Sequence, residues 1–220
     1  MRLPTRRDES RSEAGVAVTG LAAMAGATLW SVEPWLQTAV FGTRPYVATG
    51  FDVVGWAGWL LMAAGLVGFR SAFRPRYGRL GRVGVWTTGL GMVLVTLVYT
   101  RSVVAFVDAG LRPVPATGED PAGLVVTLGI VLGLTLTVLG TGMLGVVLRR
   151  LDGRSSITAV LLVAAPVVPA VAIGLRFLSL LPLPLGMQLV GTNLALVPFG
   201  VAWLTLGWLV WTDSRDPTSR

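Results

Sequence analysis

Residues 122–150 read AGLVVTLGIVLGLTLTVLGTGMLGVVLRR. Residues 122–148 carry no charge, and the run stops at Arg149-Arg150. A helix rising 1.5 Å per residue needs about 20 apolar residues to cross a hydrocarbon core roughly 30 Å thick. This stretch meets that length and ends on the paired cations that mark a cytoplasmic boundary. It contains neither the period-2 alternation of a half-buried strand nor the polar stripe of a soluble helix. The rest of the chain is therefore read for further spans.

Moving towards the N-terminus, residues 109–121 (AGLRPVPATGEDP) form a polar loop, preceded by an apolar span over 83–107. Before it stands RSAFRPRYGRLGR, residues 70–82, with Pro75 and Gly78 as breakers, and then a span over 47–69. Residues 15–41 are apolar apart from Glu33-Pro34, which suggests a first span ending near Val32 and an interfacial turn through Trp35. Residues 1–14 are a charged cytoplasmic arm. The same start also reads as a signal peptide with Ala23-Met24-Ala25 as cleavage box, but the apolar run continues well past that point.

Towards the C-terminus, residues 157–212 contain a single charge, Arg176. Such a run is too long for one crossing, and Pro182-Leu183-Pro184 divides it into spans over 157–178 and 186–211, followed by a short tail at 213–220. The expected fold is all-α, a transmembrane helical bundle of six spans with both ends in the cytoplasm. Arginine supports the orientation. The segments placed inside hold 14 Arg and those outside hold four, for net charges of +8 and −1.

Composition agrees. Of 220 residues 53% are hydrophobic and 13% charged, about half the charged share of a soluble domain. The net charge of +7 comes entirely from arginine, since the chain has no Lys. All-Arg usage points to a GC-rich prokaryotic genome and so to the cytoplasmic membrane. These cations flank spans, which suits anionic lipid and topology better than nucleic acid. With no His and no Cys, the sequence offers no conventional haem, zinc, copper or iron–sulfur ligand set, and no disulfide. Without Lys there is no Schiff base, and without His the usual triad base is missing. No cofactor is expected.

Three groups of residues stand out. Gly140-Thr-Gly142-Met-Leu-Gly145 matches G-x-G-x-x-G, but a dinucleotide fingerprint needs a preceding strand. A packing role suits it better: Gly129, Gly133 and Gly140 fall within about 40° of one another on a helix, and so form a groove for a neighbouring backbone. Arg70, Arg74, Arg76, Arg79 and Arg82, interleaved with Phe73 and Tyr77, either bind anionic head groups or only set topology. Near the outer face lie Glu33, Asp52, Arg101, Asp108, Arg176, Gln188 and Asn193, the only Asn. They form either a polar pathway or structural pairs, such as Arg176 with Glu33 and Arg101 with Asp52. The eight Trp residues gather towards span ends as an interfacial belt, and Pro166, Pro169 and Pro198 kink the last two spans.

Arg76-Tyr-Gly-Arg-Leu-Gly-Arg82 and the closing Pro198-Phe-Gly-Val-Ala-Trp-Leu-Thr-Leu-Gly-Trp208 resemble a loosely defined set of small prokaryotic six-span membrane proteins. The resemblance implies the six-span plan and brings no catalytic residues. Three functional readings follow. The first is a non-enzymatic scaffold, accessory subunit or lipid-interacting module, with a membrane-protein partner or a second copy of itself. The second is a solute or ion carrier using the outer polar residues. The third is a carboxylate-based membrane enzyme, for which no acidic pair or metal spacing appears within a span.

Overall fold

The computed structural model describes residues 6–42, 46–74, 76–115, 121–151, 156–165, 167 and 185–214. Among these residues six helices carry the fold: α1 (Arg6–Phe41), α2 (Phe51–Phe73), α3 (Gly78–Asp108), α4 (Pro121–Leu151), α5 (Ser156–Ala164) and α6 (Leu185–Asp213). Two short strands, β1 (Tyr46–Ala48) and β2 (Val114–Pro115), pair antiparallel across the loops that follow α1 and α3. Among the described residues four stretches are long and apolar enough to cross a membrane: Ala14–Phe41, Phe51–Phe73, Gly78–Asp108 and Leu128–Leu151.

The first span differs from its expected form. α1 begins at Arg6, so it takes in most of the charged arm, and it runs through Pro34 to Phe41. Proline removes one intrahelical N–H and would leave the Trp30 carbonyl without its usual donor. One turn on, the Thr38 hydroxyl donates to the Pro34 carbonyl at 2.8 Å, and the helix continues. The second span starts later than 47, because Tyr46–Ala48 is drawn into the ribbon with Val114 and Pro115. The arginine segment 70–82 is mostly helical, with only residues 74–77 between α2 and α3. The expected fifth span lies outside the described residues beyond 167.

Glycine sets how the helices meet. A Cβ on Gly26 would lie 2.5 Å from the Gly58 carbonyl oxygen, and one on Gly20 would lie 2.7 Å from that of Gly207. A Cβ on Gly91 would lie 2.5 Å from the Gly133 oxygen, and one on Gly140 2.8 Å from that of Gly84. Each of these close approaches is reciprocal, so α1 crosses α2 and α6, and α3 crosses α4, at backbone-to-backbone distance. Lipid tails are as apolar as leucine, so association inside a bilayer depends on such packing rather than on expelling water. The matched positions run in opposite order along each pair, which makes α1 antiparallel to α2 and α6, and α3 antiparallel to α4.

Of the buried threonines along this seam, Thr88 and Thr141 have hydroxyls with no hydrogen-bond partner among the described residues, whereas Thr137 satisfies its own. Thr137, fully buried, donates to the Gly133 carbonyl at 2.8 Å within its own helix. Such back-bonding satisfies a hydroxyl without a partner helix. Between α1, α2 and α6 the core is aromatic: Trp30 meets Trp59 and Phe199 edge-on, each at 5.4 Å between centroids, and Phe199 leads on to Trp203. Trp30, Trp59 and Trp203 are thus core residues, not members of an interfacial belt. Crossing close to glycines leaves room for large rings, and that burial outweighs their usual preference for the head-group zone. Trp86 and Trp208 remain exposed, at 66% and 55%. Val67, Val93, Leu97, Leu128 and Leu139 also face outward, an apolar exterior unsuited to water.

Candidate functional site

The helix directions give the bundle two chemically distinct ends. At one, the start of α1, the α2–α3 turn and the end of α6 come together, as Thr19 against Gly68 and Gly20 against Trp211 attest. This end carries most of the arginines, together with Asp8, Glu9, Glu13 and Asp213. The opposite end joins the C-terminal parts of α1 and α3, the start of α2 and the β ribbon, and it carries Glu33, Asp52 and Asp108 with Arg101 and Arg112.

At the acidic end Glu33 is buried, with 4% of its surface exposed. The Tyr99 hydroxyl of α3 donates to its Oε2 over a long 3.5 Å, and the Trp30 indole lies beside the same hydroxyl. Tyr99 reaches this position because Gly55 of α2 has no side chain: a Cβ there would stand 2.5 Å from the Tyr99 ring. Asp52 faces Glu33 electrostatically and accepts hydrogen bonds from the Thr49 N–H and, at 3.0 Å, from the Thr49 hydroxyl. The Asp52 carboxylate reaching back to the Thr49 N–H is one half of a capping-box arrangement, just before the start of α2. The Phe51 N–H donates to the Thr49 hydroxyl oxygen at 3.2 Å, as does the Gln37 side-chain amide, also at 3.2 Å. Close by, the Trp56 indole donates to the Thr100 hydroxyl at 2.9 Å.

Of the outer residues singled out from sequence, Glu33 and Asp52 come together, while Arg101 and Asp108 are exposed on α3. Arg176, and with it any pairing to Glu33, lies outside the described residues. Asn193 and Gln188 fall within α6, their side chains likewise outside. Thr49, Gln37 and Tyr99 were not singled out. Thr-x-x-Asp before an apolar run was the available sign for Thr49, and Glu33 to Gln37 is the i, i+4 spacing of one helix face. Nothing local marks Tyr99, whose role depends on how α3 sits against α1.

At the basic end Arg70 lies over the exposed Trp86 ring, 5.7 Å from its centroid, a cation–π contact between α2 and α3. Arg74 and Arg82 are exposed. Arg76 and Arg79 instead line a cavity of about 220 Å³ together with Tyr77 and, from the end of α4, Arg150. Leu80 and Val147 are among its apolar lining. Gly78, at φ 58°, makes the left-handed turn that starts α3 at the cavity.

The remaining sequence candidates fall on helix seams. Gly129 faces Val98, Gly133 faces Val95 and Gly91, and Gly140 faces Thr88 and Gly84, all on α3. Gly140–Gly145 is helical throughout, and Gly145 packs on Ala159 and Leu162 of α5, so the motif's glycines meet helices. Among the described residues no three His, Cys, Asp or Glu side chains gather as metal ligands. The chain matches no family model, no curated protein and no solved structure.

Proposed function

We propose that the protein is a multi-pass integral membrane protein of the prokaryotic cytoplasmic membrane, with six spans and both ends cytoplasmic, acting as a non-enzymatic lipid-contacting module. One observation carries the reading: arginines from the α2–α3 turn, α3 and the end of α4 line one cavity at the end of the bundle where, by sequence, 14 Arg stand against six carboxylates. A basic rim of this kind suits the anionic inner leaflet, where each Arg near the surface contributes about 1 kcal/mol of attraction. α6, 29 residues long and free of charge until Asp213, supports counting it as a span beside the four apolar stretches. The sixth is the span expected from the sequence over 157–178, most of which lies outside the described residues.

A carrier is the second reading, and Glu33 is the observation in its favour. An ionisable residue at membrane depth is expensive and marks a pathway in many transporters. Its neighbours, however, are a tyrosine, a capping aspartate and an aromatic core, which suit a structural cluster. Reconstitution into sealed vesicles separates the two readings. We expect anionic lipid to co-purify with the protein, and ion or solute leakage to equal that of empty vesicles. Flux that disappears in Glu33→Gln would replace the module by the carrier.

A further inference from the structure

We propose that the cavity between the α2–α3 turn and the end of α4 is a phosphate-binding site, in which Arg76, Arg79 and Arg150 grip a phosphate group. The inference rests on reading the basic end as the lipid-contacting one, and it replaces diffuse attraction by a defined pocket.

Three arginines from two separate parts of the chain line one concavity, and none of the residues lining it is acidic. Neither Arg79 nor Arg150 has an acidic partner among the described residues. Like charges around one concavity repel one another, so an anion bound there removes a penalty as well as adding attraction. Guanidinium groups present forked N–H donors that match phosphate oxygens, which favours phosphate over a simple halide. The start of α3 adds to the same field. Its cap residue Tyr77 makes no side-chain capping bond, and its first N–H groups carry the positive end of the helix dipole. The Gly81 N–H already donates to the Tyr77 carbonyl at 3.0 Å, so the free donors are those of the residues just before it.

Size narrows the ligand. About 220 Å³ lies below the roughly 300–1,000 Å³ of sites for drug-sized molecules. It fits a phosphate and the first atoms of its ester, with Leu80 and Val147 beneath, and not a whole nucleotide. Two sources share this chemistry: a phospholipid head group and a free phosphate. Arg74 and Arg82, in the same segment but outside the cavity, provide the comparison.

The test uses the full chain in neutral detergent, with two probes at constant ionic strength: inorganic phosphate, and micelles doped with phosphatidic acid. Binding is read by calorimetry. Arg150→Gln and Arg79→Gln should each weaken the responding probe about tenfold, since a hydrogen bond to a charged group is worth about that much. Arg74→Gln and Arg82→Gln should change it less than about twofold. A response to phosphatidic acid alone assigns the site to lipid, and a response to both assigns it to phosphate from either source. Equal losses in all four variants would reduce the site to surface charge and overturn the proposal, as would binding of neither probe by the wild type. Binding in detergent does not depend on which side of a membrane the loop faces. A wrong topology would therefore leave this result intact, and a failed pocket would leave the topology intact.

Discussion

The two ends of the bundle solve the same problem in opposite ways. Both place charge where helices emerge from an apolar slab. At the acidic end two carboxylates are drawn inward, though Arg101 and Asp108 stay exposed: Glu33 is buried, Asp52 closes the start of α2 through Thr49, and a β ribbon ties two loops together. At the basic end charge is left facing out, with Arg74, Arg76, Arg79, Arg82 and Arg150 exposed. Internal partners make the first end a structural device. The second leaves its guanidiniums at the surface.

If that contrast is right, equal chemical changes should have unequal effects. The largest difference is expected for glycine to leucine. Gly55→Leu would drive a side chain into the Tyr99 ring and should cost about 3 kcal/mol or more, because neither backbone nor ring can yield freely. Gly15→Leu, near the start of α1 with nothing within 4 Å of its Cβ position, should be neutral or slightly stabilising. Denaturant titration of the two in the same detergent gives the comparison, and similar losses would erase it.

Next comes the Glu33–Tyr99 contact. Tyr99→Phe should cost about 1 kcal/mol in the wild type and less in a Glu33→Leu background, since the hydroxyl then has lost its acceptor. Strict additivity would mean that the two groups do not act on each other. Thr49→Ala removes the hydroxyl beside the start of α2, for about 1 kcal/mol. It should also release Gln37, visible as faster amide exchange at the start of α2. The smallest effect belongs to the basic end. Arg82→Gln should shift stability by no more than about 0.5 kcal/mol, as an exposed charge does.

The same contrast explains what sequence could reveal. Local signals carried well: residues 83–107 and 122–148 fall within α3 (Gly78–Asp108) and α4 (Pro121–Leu151), because an apolar run bounded by charge is a one-dimensional property. The turn expected after Val32 did not form: α1 continues through Pro34 to Phe41, as transmembrane helices tolerate proline where neighbouring helices pack against them. Features that depend on distant pairing stayed hidden. The ribbon joins Tyr46 to Pro115, Tyr99 meets Glu33 across three helices' worth of chain, and Arg150 joins Arg79 only after α3 and α4 fold against each other. Three tryptophans were misread as interfacial because composition cannot tell that Gly26 and Gly58 open room for rings between α1 and α2.

The central claim is that the two ends lie on opposite sides of a membrane, with the arginines in the cytoplasm. The chain has no cysteine, so single reporters can be introduced without background. Ser71→Cys marks the basic end and Pro113→Cys the acidic end, both at exposed positions. With an impermeant maleimide on intact cells, Pro113→Cys should label at once and Ser71→Cys only after the membrane is permeabilised. Labelling of Ser71→Cys in intact cells, or equal labelling of the two, would contradict the account.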